Sequence, residues 1–431
     1  MAAAETTDRG QKAKDLSTRL TEQFDFLTLI DSGVMYVRDG GVYKDGVAES
    51  IIEGEVEGEE PNETNGFARE VVGHVRRSTF SPPDVFDKDL DIINVENGLY
   101  HLSTGTLTSH DPMYPSRIQL PVRFDPEAAP VRIMRFLKEV LPNPDDVVNV
   151  LEDAASAFIR DARFQKAFMY IGRGANGKTT WLAVLVALLG RPNVGNDSIH
   201  DLGIGRFGAG NIEGKLAVVY PDISSEEIAL TGKLKAIIAG DRITVERKGV
   251  QGHPITPFAK LFYSANALPI VRDDSDAWFR RWRITNWDVQ IEADRQDPNL
   301  LDELTTPGEL SGVFNVLAAL ARRLIRQRGF SYNATIHQNR TEWGNRSNVI
   351  RAFVSKCLHI QREGGPELSA LSADVYASYV KFCQKNQFTA RKQTGFMEEL
   401  KSVVPVRSEN AKVNGRVLKV VRGIAIEGAG L

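Results

Sequence analysis

The apolar run Ala167-Phe168-Met169-Tyr170-Ile171 leads directly into Gly172-Arg173-Gly174-Ala175-Asn176-Gly177-Lys178-Thr179-Thr180, and the apolar stretch Trp181 to Leu189 follows. No other feature of the 431-residue chain restricts the fold so tightly. The spacing is GxxxxGK[ST], and the flanking strand and helix are the context that makes it a phosphate-binding loop. Gly172, Gly174 and Gly177 let the backbone curl until its N–H groups point inward at phosphate oxygens. The helix that begins near Lys178 adds the positive end of its dipole. Lys178 supplies a point charge for β- and γ-phosphates, and the Thr179 hydroxyl can ligate Mg²⁺. The expected nucleotide-binding residues are therefore Gly172, Gly174, Ala175, Asn176, Gly177, Lys178, Thr179 and Thr180.

Hydrolysis asks for more: a carboxylate on a neighbouring strand, a polar group to hold water, and an arginine. Leu216 to Tyr220 is an apolar strand that ends in Pro221-Asp222, 44 residues beyond Lys178. Ligands in open α/β sheets sit at such carboxyl ends, so Asp222 is the candidate metal acid alongside Thr179. The same pattern recurs another 44 residues on, where Leu261-Phe262-Tyr263-Ser264-Ala265 ends in Asn266. An amide there can position an attacking water. Trp278-Phe279-Arg280-Arg281-Trp282-Arg283 then offers an arginine to complete a neighbouring copy's site, with Arg280 and Arg281 both open as the finger. Asp273, Asp274 and Asp276 are the nearby acids that would neutralise these arginines in a purely structural role. Between acid and amide, Gly240 to His253 reads as strand, tight turn, strand, with a basic tip. Arg247, Lys248 and His253 are its candidate contacts to a phosphate backbone.

Around this centre the chain divides into four expected parts. Residues 1–84 form a partly flexible N-terminal region, in which Glu57 to Gly66 reads as a solvated loop, or alternatively as part of an acidic binding surface. Residues 85–164 combine hairpins, with Asn97-Gly98 as a turn signal, and helices, with Ile133, Phe136, Leu137 and Val140 at i, i+3, i+4 and i+7. Residues 165–330 alternate strands and helices, the pattern of a largely parallel α/β core. Residues 350–428 read as two helices followed by strand pairs. With 53 Lys+Arg against 56 Asp+Glu the net charge is −3, yet from Ser331 onward it is +7, leaving −10 on the rest. A basic C-terminal unit on an acidic body points to a polyanion, with Arg391 and Lys392 as candidate contacts. Cys357 and Cys383 make neither a disulfide framework nor a zinc spacing, and the seven histidines include no HxH or HExxH. The longest apolar run is half of the ~20 residues a membrane span needs, and the acidic N-terminus is no secretory signal.

In the order Gly172 to Thr180, Tyr220-Pro221-Asp222, Gly240-Asp241 to Lys248, Ser264-Ala265-Asn266-Ala267-Leu268-Pro269 and Phe279-Arg280-Arg281-Trp282, the chain resembles superfamily 3 helicases of the phage, plasmid and large-virus primase–helicase type. Ile92 to Leu99 onward resembles the family's helicase-associated region. The resemblance implies an AAA+ ATPase using ATP and Mg²⁺. It implies a hexameric ring that hydrolyses at subunit interfaces and translocates 3′→5′ on single-stranded DNA. Lys178, Asp222, Asn266 and Arg280 or Arg281 would be its catalytic residues. A C-terminal winged-helix-like domain would meet duplex or forked DNA, and a separate primase or polymerase would be a partner. The expected setting is the cytoplasm of a prokaryotic cell, or a host carrying a virus or plasmid. Two departures stand out. Asp222 is followed by Ile223 rather than a second acid, which leaves Glu226 and Glu227 as further candidates to polarise water. The first 80 residues are too short for a primase and hold no carboxylate cluster for its metals, so no primer synthesis is expected. An initiator or loader that remodels DNA without processive unwinding is the alternative reading, and a small-molecule kinase a more distant one.

Overall fold

Apolar strands buried on both faces pair in parallel only when helices cover the sheet, and the segment from 167 to 286 meets that demand. We describe it in a computed structural model, which covers residues 2–205, 208–223, 228, 230–247, 250–269, 271, 273, 275–361, 365–385, 388, 390–413 and 415–427. The chain forms two units. The first holds residues 1–223, 236–266 and 285–332, and the second 224–235, 267–284 and 333–431.

The first unit opens with α1 (Ala2–Gln23), β1 (Phe26–Leu29), β2 (Met35–Asp39), β3 (Val42–Asp45), α2 (Ala48–Glu59), α3 (Asn65–Ser78) and β4 (Phe80–Ser81). The strands make one sheet in the order β3-β2-β1-β4. Strand side chains alternate between its faces. Phe26, Met35 and Val37 pack with Leu16, Leu20, Ile52, Phe67 and Val71 of the three helices, while Leu27, Leu29 and Tyr36 pack with Tyr43 and Phe86. The loop expected over Glu57 to Gly66 is shorter than the sequence suggests, because α2 runs to Glu59 and α3 starts at Asn65. Three of its acids meet bases of α1: Glu59 with Arg19, Glu60 with Lys12 at 2.7 Å, and Glu63 with Arg9 at 3.3 Å. These pairs link α1 to the end of α2 and the start of the following loop, while Glu57 stays exposed.

A meander of β5 (Ile92–Val95), β6 (Gly98–His101) and β7 (Thr106–Thr108) follows. Val95 pairs with Gly98, so the turn is Glu96-Asn97, one residue earlier than an Asn-Gly turn would place it. The Asn97 side chain is used elsewhere: it donates to Phe124 O at 2.9 Å and accepts from Phe124 N at 2.8 Å. Next come α4 (Val131–Val140) and α5 (Pro144–Ala155).

The α/β core consists of β8 (Ala167–Ile171), α6 (Lys178–Leu189), β9 (Val194–Gly195), α7 (Ile199–Ile204), β10 (Ala217–Tyr220), α8 (Gly232–Ala239), β11 (Ile243–Arg247), β12 (Val250–Ile255), β13 (Lys260–Ala265), α9 (Asp276–Phe279), β14 (Trp282–Asn286), α10 (Leu300–Leu304) and α11 (Pro307–Gln327). The sheet order is β14-β8-β13-β10-β9, and β8, β13, β10 and β9 run parallel. Ile171 lies beside Ala265, and Tyr220 beside Tyr263, so three adjacent strands end at one edge. β11 and β12 form a separate antiparallel hairpin. Phe136 and Leu137 of α4, Val150 of α5, Trp181 and Leu185 of α6, Phe314 and Leu317 of α11 and the sheet residues Phe168 and Phe262 share one core.

The second unit ends with α12 (Ala334–Ser347), α13 (Val349–Cys357), β15 (Leu358–Ile360), β16 (Ser369–Leu371), α14 (Ser372–Lys385), α15 (Gln393–Val403), β17 (Arg407–Val413), β18 (Arg416–Arg422) and β19 (Ile424–Ile426). One helix, a short strand, two helices and a long hairpin, with sheet order β16-β18-β17, make this a winged-helix-like module. Phe353, Tyr379, Phe396, Leu400 and Val421 form its core.

Candidate nucleotide-binding site

The loop after β8 is shaped by positive φ angles at Gly174 (35°), Ala175 (49°) and Gly177 (83°). At Gly177 a side chain is also excluded by space, since a Cβ would lie 2.9 Å from Phe136 and 3.0 Å from Val140 of α4. At Gly172 a Cβ would fall 2.2 Å from Trp287 O. The backbone is thus pressed between α4 and the residues after β14. Asn176 is buried and bridges both sides: its Nδ2 donates to Trp287 O at 2.9 Å, and its Oδ1 accepts from Lys178 Nζ at 2.8 Å. Lys178 Nζ also donates to Gly172 O at 2.6 Å. Ile291 N donates to Ala175 O at 2.7 Å, and Trp287 N to Ile171 O at 2.6 Å. Gly177 caps α6 without a side-chain hydrogen bond, so the first N–H groups of that helix remain available for an anion.

The other two strand ends are tied to this loop. Gly172 N donates to Ala265 O at 3.2 Å, and Gly174 N makes a long 3.5 Å contact to Asn266 Oδ1. Ile223 N donates to Ser264 O at 2.9 Å, and the Ser264 hydroxyl donates to Pro221 O. These bonds set the Asp222 turn against the strand that carries Asn266. Burial pushes the Lys178 ammonium below its ordinary value, and the negative charge of Asp222 works against that shift. Asp222, Asn266 and Thr179 are all exposed. A basic head, two oxygen donors, an amide and a free helix terminus therefore meet at the carboxyl edge of the sheet. This set fits a Mg²⁺-nucleotide: the loop's glycines adopt the curled backbone that turns N–H groups toward an anion, and the two oxygens are of the hard type that Mg²⁺ takes.

Two family models match the chain. One, described as D5 N terminal like, covers residues 27–142, and the other, a family of unknown function (DUF5906), covers residues 170–281. A protein named "Putative helicase 184R" from Invertebrate iridescent virus 6 is 20% identical over 259 residues, which is 51% of this chain and 25% of that protein. Apo structures of the NrS-1 C-terminal region superpose with TM-scores of 0.55 and 0.53 at 13% identity, each spanning 94% of this chain and 97% of theirs. At that identity the likeness shows the fold, a mixed α/β architecture around an AAA+ phosphate-loop core. The relative's matched region is a quarter of its own length, and each family model matches about a quarter of this chain.

The arginine cluster lies in the second unit, on a platform of aromatics that pack tilted and edge-on. Trp278 and Trp282 lie 5.1 Å apart, Trp343 packs on both, and Trp343 Nε1 donates to Pro269 O at 2.7 Å. Arg280 is exposed, Arg281 donates back to Ala277 O, and Arg283 is buried. Asp273, a suspected partner for them, is engaged by Lys235 at 2.6 Å, by Thr231 and by Ser275. Burial alone would raise its carboxyl, but those hydrogen bonds outweigh burial and hold it well below the usual range.

The hairpin contacts separate. Arg247 pairs with Val250 next to the tip, while Lys248 and the Arg247 side chain lie outside the described residues, as do Glu226 and Glu227. His253 sits near the base, opposite Val245, with its Nε2 3.1 Å from Glu213 Oε2. In the winged-helix-like module Arg391 pairs with Glu399 at 2.6 Å, and Lys392 is the exposed residue preceding α15. Sequence reading missed the roles of Trp287, Phe136 and Val140 as walls of the loop, and no local pattern marks a backbone carbonyl as a partner. Among the described residues no cluster of three His, Cys, Asp or Glu could hold a metal, and no helix is long and apolar enough to cross a membrane.

Proposed function

We propose that the chain is an ATP-driven DNA helicase of replication, which assembles as a hexameric ring and moves 3′→5′ on single-stranded DNA. The observation that carries this reading is the convergence of Lys178, Asp222 and Asn266 at the ends of three adjacent parallel strands, tied by the bonds from Gly172, Gly174 and Ile223. Lys178 neutralises phosphate charge, and nucleotide competes for its ammonium with Gly172 O and Asn176 Oδ1. Thr179 and Asp222 are the residues that would hold Mg²⁺, which, when bound, offsets charge on the transferring phosphoryl group. Asn266 accepts and donates at the strand end where an attacking water must be oriented. Arg280, exposed on a rigid aromatic platform, suits a finger offered to a neighbouring copy better than Arg281, whose guanidinium is turned back on its own helix. The β11–β12 hairpin places Arg247 beside its tip, where a backbone of phosphates would be gripped.

The test is phosphate release with and without single-stranded DNA, alongside strand displacement on a 3′-tailed duplex. The wild type is expected to show both, and Lys178→Ala to lose both by at least ~100-fold, the scale of removing one transition-state charge contact. Phosphate release that ignores DNA would sink the reading. Stimulated release with no displacement would favour the initiator or loader.

A further inference from the structure

The wing carries an exposed basic hairpin that the nucleotide site does not explain. β17 and β18 pair from Arg407↔Arg422 to Val413↔Arg416, and Gly415, just before β18, has φ 79°. Val420 and Val421 are buried, but every side chain from Arg416 to Lys419 is exposed. The hairpin therefore overhangs its module by about four residues, or ~13 Å at strand rise. Val417 points to the same face as Val421, two alternations further out, where nothing covers it: it is 71% exposed, and Leu418 on the opposite face is 37% exposed. Lys412 is directly across from Val417, Lys419 is next on that face, and Arg416 is in the outermost pair, opposite Val413. From Arg407 to Arg422 there are five basic residues and one acid, Glu409, whose carboxylate is taken by Arg422 at 2.7 Å.

We infer that the wing tip is an apolar wedge that seats on the exposed base pair where duplex DNA opens into single strands. The two apolar side chains are far too little for a protein interface, which needs about 800 Å² per partner. The cations around them match phosphate instead. Along a duplex the base faces are stacked and hidden. At a junction one face is open, so Val417 can stack there while Lys412, Arg416 and Lys419 hold the flanking phosphates. The contact sits on the wing, and Arg391, already paired with Glu399, is not part of it. DNA is chosen as the ligand because the chain is read as a DNA motor, and the remaining steps rest on the wing alone.

The test uses the full-length chain without nucleotide, so it remains informative if phosphate release fails. Binding to a forked duplex, a blunt duplex and a single strand is measured by anisotropy, with 2-aminopurine at the junction or inside the duplex. Wild type should prefer the fork by ~10-fold and brighten only the junctional probe. Val417→Ser with Leu418→Ser should abolish brightening and most of the fork preference while keeping single-strand affinity and melting temperature. Lys412→Ala, Arg416→Ala and Lys419→Ala together should lower the salt slope of fork binding by roughly 2–3. An unchanged fork preference in the Ser double variant overturns the proposal. So does equal brightening inside the duplex, or a change of oligomeric state on that substitution, which would mean that the tip seats on a second copy.

Discussion

At the scale of single residues, Asn176 shows how a loop motif is completed by chain it cannot foresee. Its spacing in the motif was legible, but its two bonds, to Trp287 O and from Lys178 Nζ, depend on where β14 runs. Asn176→Ala leaves a buried carbonyl without its donor and removes an acceptor from Lys178, so we expect ~1–3 kcal/mol of lost stability in urea melts. Weaker binding of a fluorescent ATP analogue should accompany it. Lys260 makes a different kind of prediction. It is buried, and its Nζ donates to Ile159 O, Asp161 O and Phe258 O at 2.9, 2.7 and 2.8 Å. Burial pushes its ammonium down to about 7. Between there and the free lysine value the unfolded chain holds a proton that the folded chain releases, so this group's contribution to stability rises with pH through that window. Melting temperatures taken from pH 6.5 to 9.5 should carry that rising component, and Lys260→Met should lose it.

At the scale of elements, periodicity placed α4 well, because Ile133, Phe136, Leu137 and Val140 all enter the core. What starts α4 was not legible. Pro130 at its N-cap offers no side-chain bond, and the cap comes from Glu309 on α11, which accepts Arg132 N at 2.9 Å and Ile133 N at 3.0 Å. Glu309→Gln turns one acceptor into a donor facing a buried N–H. The expected cost is ~1–3 kcal/mol in chemical denaturation, with Glu309→Ala at least as large. Nearby, a Cβ on Gly312 would lie 2.4 Å from backbone atoms of Ala129 and Pro130. Gly312→Ala should destabilise by a similar amount through overpacking, despite its better helix propensity. If either variant melts like wild type, α11 does not brace α4 as described. The acidic stretch was misread for a related reason: charge density alone cannot tell a solvated loop from a helix whose acids meet bases on α1 and α3.

At the scale of the whole molecule, the charge split of +7 and −10 was readable by counting, and the winged-helix-like module accounts for much of its basic side. That module has a core drawn only from residues 350–424 and starts with Asn348, whose side chain caps α13. A fragment of residues 348–427 is therefore expected to unfold cooperatively on its own in a thermal melt followed by circular dichroism. The proposed shared site has its own signature. Lys178→Ala and Arg280→Ala should each be inactive alone. Mixed together they should regain part of the ATPase, because some neighbouring pairs would join an intact Lys178 to an intact Arg280. No recovery on mixing, with assembly intact by sedimentation, would place the arginine in its own subunit's site.

The sequence by itself determined the glycine-rich loop between strand and helix, the placing of Asp222 and Asn266 just past strand ends, and the α/β class. Each of these is a local pattern of glycine freedom, side-chain chemistry and period, and such patterns survive without knowledge of the neighbours. Tertiary structure decided which backbone carbonyls hold Asn176 and Lys260, which acid caps α4, and which cations remain open on the wing. Those outcomes depend on groups far apart in the chain, and only packing sets the distances over which a hydrogen bond or a buried charge is worth anything.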